Sequence, residues 1–287
     1  IRDRPMRYRL DLAYDGTDFS GWASQPDRRT VQATCEEWIT RVLALDSPAC
    51  LVVAGRTDAG VHATGQVCHL DLPDDLKLNL RDGSTAEIGE LLPRRLARVL
   101  PEDIVVHRVC PVSDDFDARF SALWRRYTYR VWDEDSRPEP TLRRRVARVR
   151  GSLDVPRLQH AAGLLLGLHD FAAFCKPREG ATTIRTLKRL EVARIEGTVE
   201  FTVVADAFCH SMVRSLVGAL CGLGATGGRI RRDEEWLAAL LEASARDSSV
   251  MMMPASGLTL SEVGYPADDQ LALRAHQARR RRDEEPA

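Results

Sequence analysis

Lysine is nearly missing from this chain, with Lys77, Lys176 and Lys188 set against 38 arginines. The 42 acidic residues leave a formal net charge of −1, so no bulk positive charge announces a nucleic-acid partner. A local basic face is still open, because Arg143, Arg144, Arg145, Arg148 and Arg150 form one cluster and Arg125, Arg126 and Arg130 another. No run of 18 apolar residues occurs, so no membrane-spanning helix is expected. The start of the chain has no signal-type apolar stretch, which points to the cytoplasm. The seven cysteines are odd in number and lack a C-x-x-C pair, so reduced thiols are expected rather than a disulfide framework. Cys68-His69 and Cys209-His210 are adjacent pairs without metal-ligand spacing, and no metal site is expected. The aromatic-rich strand of an RNA-recognition motif is also missing.

What is present is concentrated in Ala54-Gly55-Arg56-Thr57-Asp58-Ala59-Gly60-Val61-His62-Ala63, directly after the apolar run Leu51-Val52-Val53. A buried strand therefore enters a glycine-bracketed turn with Asp58 at its tip and Arg56 two residues earlier. Gly55 and Gly60 permit backbone angles that other residues resist, allowing a tight loop and close approach to a ligand. Asp-Ala-Gly alone is ordinary surface-turn chemistry. The G-x-x-x-x-G spacing suits a phosphate loop, but Val61-His62 stands where Lys and then Ser or Thr are needed. No nucleotide cofactor is expected. A rigid loop that carries an acid and an arginine at a strand end is a common build for an active site.

At 287 residues the chain suffices for one large domain or two smaller ones. Tyr8, Leu10, Leu12 and Tyr14 alternate as one face of a strand. Thr30 is placed to cap a helix from Val31 to about Leu45, with Ile39, Val42 and Leu43 buried. Strands at about 49–54, 66–71 and 104–112 and a helix around 87–99 complete a first half. A second half reads as a strand from Arg125 to Trp132, a helix opened by Pro156, strands over 184–195 and 199–206, helices over 210–224 and 232–244, and a closing strand from Gly257 to Tyr265. Residues 73–89 read as a polar loop or insertion. Helical crossovers do not join every strand pair, so the expected class is α+β, with a mixed, largely antiparallel central sheet flanked by helices. The expected division is an N-terminal half over 1–112, a C-terminal half over 113–266, and a charged, disordered tail over 267–287.

On the 210–224 helix, Val213, Leu216, Val217 and Leu220 form a buried stripe, while Ser215, Gly218, Ala219 and Gly222 let another backbone come close. Arg214 falls in the first turn, where the helix dipole disfavours a cation. Such a break of a local rule marks either a snorkelling arginine or a functional one.

The decapeptide resembles the catalytic motif of TruA-type tRNA pseudouridine synthases, whose essential aspartate falls at Asp58. Other segments match that family in its order: Tyr14-Asp15-Gly16-Thr17-Asp18-Phe19-Ser20-Gly21-Trp22 with Thr30-Val31-Gln32, Phe116 to Ser121, Arg125-Arg126-Tyr127-Thr128-Tyr129, His169 to Phe174, His210 to Arg214, and Pro254 to Leu258. The resemblance spans about Tyr8 to Tyr265. It departs at Ala23, Ser211 and Thr259, none of which is a proposed catalytic group.

The resemblance implies a pseudouridine synthase fold of two related halves with the active cleft between them. It implies isomerisation of uridine in the tRNA anticodon arm, at positions 38 to 40, by a homodimer that needs no cofactor. Asp58 would act at the ribose C1′ or on the C2′ proton, Arg214 would be its counter-ion, and Tyr127 would lie against the base and handle the C5 proton. Leu258 would form an apolar wall. Arg56 would fill the space left by the extracted nucleotide, and Arg125 and Arg126 would contact RNA. His62 and Gln66 are left either as supports of the loop or as ordinary core residues. Action on another RNA, or RNA binding without catalysis, are the alternatives.

Overall fold

The computed structural model describes residues 5–74, 76–79, 85–178, 180–224 and 232–283. Two compact units divide the chain at Leu123/Trp124 and at Leu260/Ser261, so the segment after Ser261 returns to the first unit. The boundary read from the sequence was 112/113.

The first unit opens with β1 (Met6–Tyr14), followed by α1 (Val31–Leu43), β2 (Val52–Val53) and β3 (His62–Leu72). The pair β4 (Leu78–Asn79) and β5 (Thr85–Ala86) comes next, within the segment read as a polar insertion. Then come α2 (Ile88–Leu96) and β6 (Ile104–Val112). Alternation on β1 buries Tyr8, Leu10, Leu12 and Tyr14, as the period of two requires. β1 is the middle strand, antiparallel to β3 on one side and β6 on the other, and β2 pairs with β3. Along β1 and β3, Leu12 faces Gln66 but Tyr14 faces Ala63, so three steps of β3 match two of β1. The extra residue lies on β3, so this bulge bends the start of that strand, a common device beside functional loops.

Thr30 caps α1 by accepting from the Ala33 amide at 3.4 Å. The buried stripe of α1 is Val31, Cys35, Ile39 and Leu43, with Val42 only half-buried. Cys35, Ile39, Cys68 and Leu96 close over Leu10 and Leu12, and burial pushes the Cys35 thiol up to about 12.

The second unit contains β7 (Trp124–Trp132), β8 (Ala147–Arg148), α3 (Val155–Gly163), β9 (Gly167–Asp170), β10 (Ile184–Ile195), β11 (Thr198–Ala205), α4 (Met212–Gly224) and α5 (Glu234–Leu241). Its strand order is β7-β11-β10-β9, all antiparallel, with β8 parallel to β7. Glu196 (φ 49°) and Gly197 (φ 76°) close the β10–β11 hairpin, both in the left-handed region that a type I′ turn needs. α3 starts from Asp154, which accepts from the Arg157 amide at 3.1 Å, and packs on β10 and α4. β12 (Leu258–Gly264) begins in the second unit and ends in the first. The mixed, mostly antiparallel α+β class agrees with the sequence reading. Among the described residues no helix is long and apolar enough to cross a membrane.

Two expectations are corrected. The tail from 267 was read as disordered, yet Leu271–Asp283 forms α6, with Leu271 and Ala275 buried. Polar anchors offset its poor apolar content: Arg274 donates to the Ala122 carbonyl at 3.2 Å and Arg279 pairs with Asp117 at 2.8 Å. Residues 284–287 lie outside the described chain. The cysteines were read as all reduced, but Cys175 and Cys209 form a disulfide with Cα atoms 5.8 Å apart. Sequence spacing could not reveal a pair 34 residues apart that meets only in the fold.

One ion pair fastens the second unit. Burial alone would raise the pKa of Asp133, but Arg194 at 2.6 Å, Ser136 and the Leu153 amide outweigh it and hold the carboxyl well below its ordinary 3.8. A depressed native pKa stabilises the fold above the unfolded value, and this contribution is lost as pH falls through the lower native value. Asp133→Asn is therefore expected to cost about 2 kcal/mol in urea titrations at neutral pH. The gap between variant and wild type should shrink as pH falls below 3.8.

Candidate active site

The first unit carries Asp58 and Arg56 on the loop between β2 and β3. The Ala54 amide donates to the Val67 carbonyl at 2.8 Å, which holds the loop's entry against β3. Its exit is a tight turn in which the Val61 amide donates to the Asp58 carbonyl at 3.1 Å. Gly60 occupies the third position of that turn with φ 78°, the conformation that favours glycine in a type II turn. Asp58 is half-buried at the tip and Arg56 is exposed. Gly55 has no positive φ, and a Cβ added there would meet nothing within 4 Å. Of the two glycines that permit such angles, only Gly60 uses that freedom.

The segment 15–22 lies along this loop. The Trp22 amide donates to the Thr57 carbonyl at 3.0 Å, and the Gly60 amide donates to Phe19 at 3.3 Å. Such closeness demands glycine in the segment: a Cβ at Gly16 would fall on the Val61 carbonyl, and one at Gly21 (φ 92°) would come within 2.9 Å of the Thr57 oxygen. Behind the turn, His62 is buried, with Nδ1 3.1 Å from both the Gly16 amide and an Asp15 carboxylate oxygen. The Asp15 oxygen already accepts from Thr17 N and Oγ1, at 3.0 and 2.6 Å.

The second unit carries Tyr127, Arg125, Arg126, Arg214 and Leu258. Tyr127 sits on β7 opposite Val203, buried, with its ring edge-on to Phe208 at 5.1 Å. Arg125, on the same face by alternation, donates to the Asp206 carbonyl at 2.9 Å. Arg126, on the other face, has its guanidinium 5.4 Å from the Trp124 ring centre. Two residues beyond Tyr127, Tyr129 donates to the Pro254 carbonyl at 2.6 Å, and burial pushes its hydroxyl pKa up. Gly257 leaves room for the Tyr129 ring, since an added Cβ would lie 2.5 Å from it. The segment 254–257 is thus fixed beneath β7 and delivers a buried Leu258 at the start of β12.

α4 is buried along nearly all its length, and Arg214 in its first turn is its single charged residue. The arginine's Nε donates to the Met253 carbonyl at 2.6 Å, while the Met253 amide donates back to the Arg214 carbonyl at 3.2 Å. The Nε bond sets the plane of the guanidinium. The expected close approach on the small-residue face occurs at Gly218, where a Cβ would strike the Met251 carbonyl. Ser211, with φ 67°, turns the chain into α4. Just upstream, Phe171 and Phe174 are fully buried, the Lys176 amide donates to His210 at 3.0 Å, and the disulfide joins Cys175 to Cys209. The 169–174 motif therefore anchors the approach to the Arg214 helix.

Sequence reasoning gave no role to Tyr14, Thr57, Phe208 or Met253. Tyr14 carried a signal, as a polar-tipped residue on the apolar face of β1, and Thr57 lay inside the decapeptide, whereas Phe208 and Met253 carried none.

Residues 161–266 match the pattern of a family described as tRNA pseudouridine synthase. A Cutibacterium acnes protein named tRNA pseudouridine synthase A is 61% identical over 96% of this chain and 95% of its own. Proteins of the same name from Leifsonia xyli and Streptomyces griseus are each 50% identical, over 97% and 96% of this chain and 98% and 93% of theirs.

The two loop glycines give a direct contrast. Gly60→Ala is expected to destabilise the protein by about 1 kcal/mol or more, because alanine resists positive φ. Gly55→Ala should stay within about 0.5 kcal/mol of wild type or gain slightly. Urea unfolding of the two variants checks the assignment, and equal losses would refute it.

Proposed function

The chain belongs to the tRNA pseudouridine synthase A family, and from that premise we propose that it converts uridine to pseudouridine in the tRNA anticodon arm, at positions 38 to 40, with Asp58 as its catalytic carboxylate. The observation that carries the reading is the Asp58 loop: one carboxylate at the tip of a turn whose backbone is bonded on both sides. The family makes the enzyme an isomerase.

The chemistry defines what the residues must do. The bond from C1′ to N1 breaks, a bond from C1′ to C5 forms, C5 gives up its proton and N1 ends with one. Substrate and product share one composition, so the balance closes without redox equivalents. Asp58 acts either by attacking C1′ or by removing the C2′ proton, and both roles need an ionised carboxylate. Arg214 supplies the counter-charge, since a guanidinium beside a carboxylate favours its ionised form. Nε engaged by Met253 leaves that guanidinium one plane in which to act.

Tyr127 stacks on the uracil and takes or relays the C5 proton. Leu258 supplies apolar wall, and Arg56 fills the gap left when the nucleotide leaves its stack, an extraction that costs a few kcal/mol. Arg125 and Arg126 contact the RNA backbone. The enzyme works as a cytoplasmic homodimer with one tRNA spanning both subunits, a reading supported by the family resemblance.

Release of tritium from tRNA labelled at C5 of uridine tests the assignment, because isomerisation forces that hydrogen off the ring. Wild type should release it and Asp58→Ala should not, with the rate down by at least about 1,000-fold, roughly 4 kcal/mol of barrier. Release by both would show that another group is the catalytic carboxylate. Release by neither, from any anticodon-arm uridine, would move the substrate to a different RNA.

A further inference from the structure

Three buried side chains of the first unit meet behind the Asp58 loop. The Tyr14 hydroxyl lies 2.7 Å from Thr57 Oγ1 and accepts from Gln66 Nε2 at 3.1 Å. The second Nε2 hydrogen goes to the Gly55 carbonyl at 2.9 Å, and Gln66 Oε1 accepts from the Val67 amide at 3.2 Å. Both hydrogens and the oxygen of the amide are thereby used. Turning the amide over would set its oxygen against the Gly55 carbonyl, so it has one workable orientation. Tyr14 is 5%, Thr57 6% and Gln66 0% exposed, which leaves water little access as a substitute partner.

The network grips the loop at the two residues flanking Arg56. It takes Gly55 by its carbonyl and Thr57 by its side chain, while the Thr57 carbonyl accepts from Trp22 at 3.0 Å. Residue 57 is therefore held through both side chain and main chain, and the peptide that follows it carries Asp58. Tyr14, two residues beyond Leu12 on the same face of β1, reaches Gln66 as a diagonal neighbour of the Leu12–Gln66 pair, and the extra residue of the bulge lies on β3 between Gln66 and Ala63. If the three residues only filled the core, these buried polar bonds would be unneeded: apolar side chains would fill the same space.

We propose that Tyr14, acting with Gln66 through Thr57, is a positioning residue for catalysis that sets the direction in which the loop presents Asp58. The network governs the rate of the chemical step and leaves tRNA affinity to surfaces elsewhere. The inference rests on Asp58 being the catalytic carboxylate. A misplacement of about 1 Å at a reacting group costs about 100-fold in rate, so small errors in loop direction are large in kinetics.

The test uses the full chain with single-turnover tritium release at saturating enzyme, alongside tRNA binding by filter retention. Tyr14→Phe removes one oxygen, Thr57→Val removes the hydroxyl at constant shape, and Thr57→Ser restores it. Tyr14→Phe and Thr57→Val should each slow release by about 10- to 100-fold with affinity within about twofold. Thr57→Ser should recover most of the rate, and the double variant should be little worse than Tyr14→Phe alone, because Tyr14→Phe already removes the bond to Thr57 along with the one from Gln66.

Wild-type rates in Tyr14→Phe and Thr57→Val, with Asp58→Ala inactive, would overturn the positioning role alone. Activity in Asp58→Ala would overturn the premise instead. Should Tyr14→Phe fail to fold, the Thr57→Val and Thr57→Ser pair decides by itself, and equal losses in both would refute a role for the hydroxyl. Weaker tRNA binding at an unchanged rate would also refute it.

Discussion

A carboxylate at the tip of a short turn keeps one direction only when the backbone on either side of it is bonded, and everything around Asp58 follows from that need. A free turn would sample many orientations, and each ordered residue gives up about 1–2 kcal/mol of backbone freedom. Here the loop is bonded to β3 through Ala54, to the 15–22 segment through Thr57 and Gly60, and to the core through Thr57 and Gly55. The glycines at 16 and 21 follow from this arrangement, since any side chain there would separate the two backbones. The bulge between β1 and β3 lies next to the loop, because its extra residue falls at the start of the strand that leaves it.

The second unit meets the same requirement with different parts. α4 is apolar enough to be buried whole, which would make a lone arginine costly unless its polar atoms were met. Reciprocal bonds between Arg214 and Met253 meet part of that need and tie the helix to the 251–257 segment. Tyr129 and Gly257 fix the far end of the segment beneath β7, the strand that also carries Tyr127. Arg125, Arg214 and Tyr129 of this unit are thus set by main-chain carbonyls, which move less than side-chain partners would.

Much of this was legible in the sequence, and the boundary of legibility is physical. Period-two burial on β1, the Thr30 cap and the small face of α4 are local patterns; the first two appear as read, and on α4 another backbone comes close at Gly218. The Asp58 loop was found by its motif. What failed was non-local. Gly55 and Gly60 look alike in sequence, yet only Gly60 has a positive φ. β3 begins at His62, earlier than its apolar run suggests, because polar His62 finds a partner in Gly16, just past β1, and Gln66 one in Tyr14 on β1. α6 lacks an apolar stripe and is fixed by Arg274 and Arg279 to residues far back in the chain. The Tyr14–Thr57–Gln66 cluster depends on a strand register, and the Cys175–Cys209 bond on a meeting of two loops. No periodicity encodes either.

Bonded on both sides, the Asp58 loop is already formed before RNA arrives. Native-state hydrogen exchange of the RNA-free protein at the Trp22, Gly60 and Val61 amides tests it most directly. A preformed loop predicts that these amides exchange as slowly as those of the β3 ladder, through unfolding of the unit as a whole. Exchange near the rate of an exposed, unbonded amide, with the β3 ladder still protected, would show that the loop takes its shape only on binding.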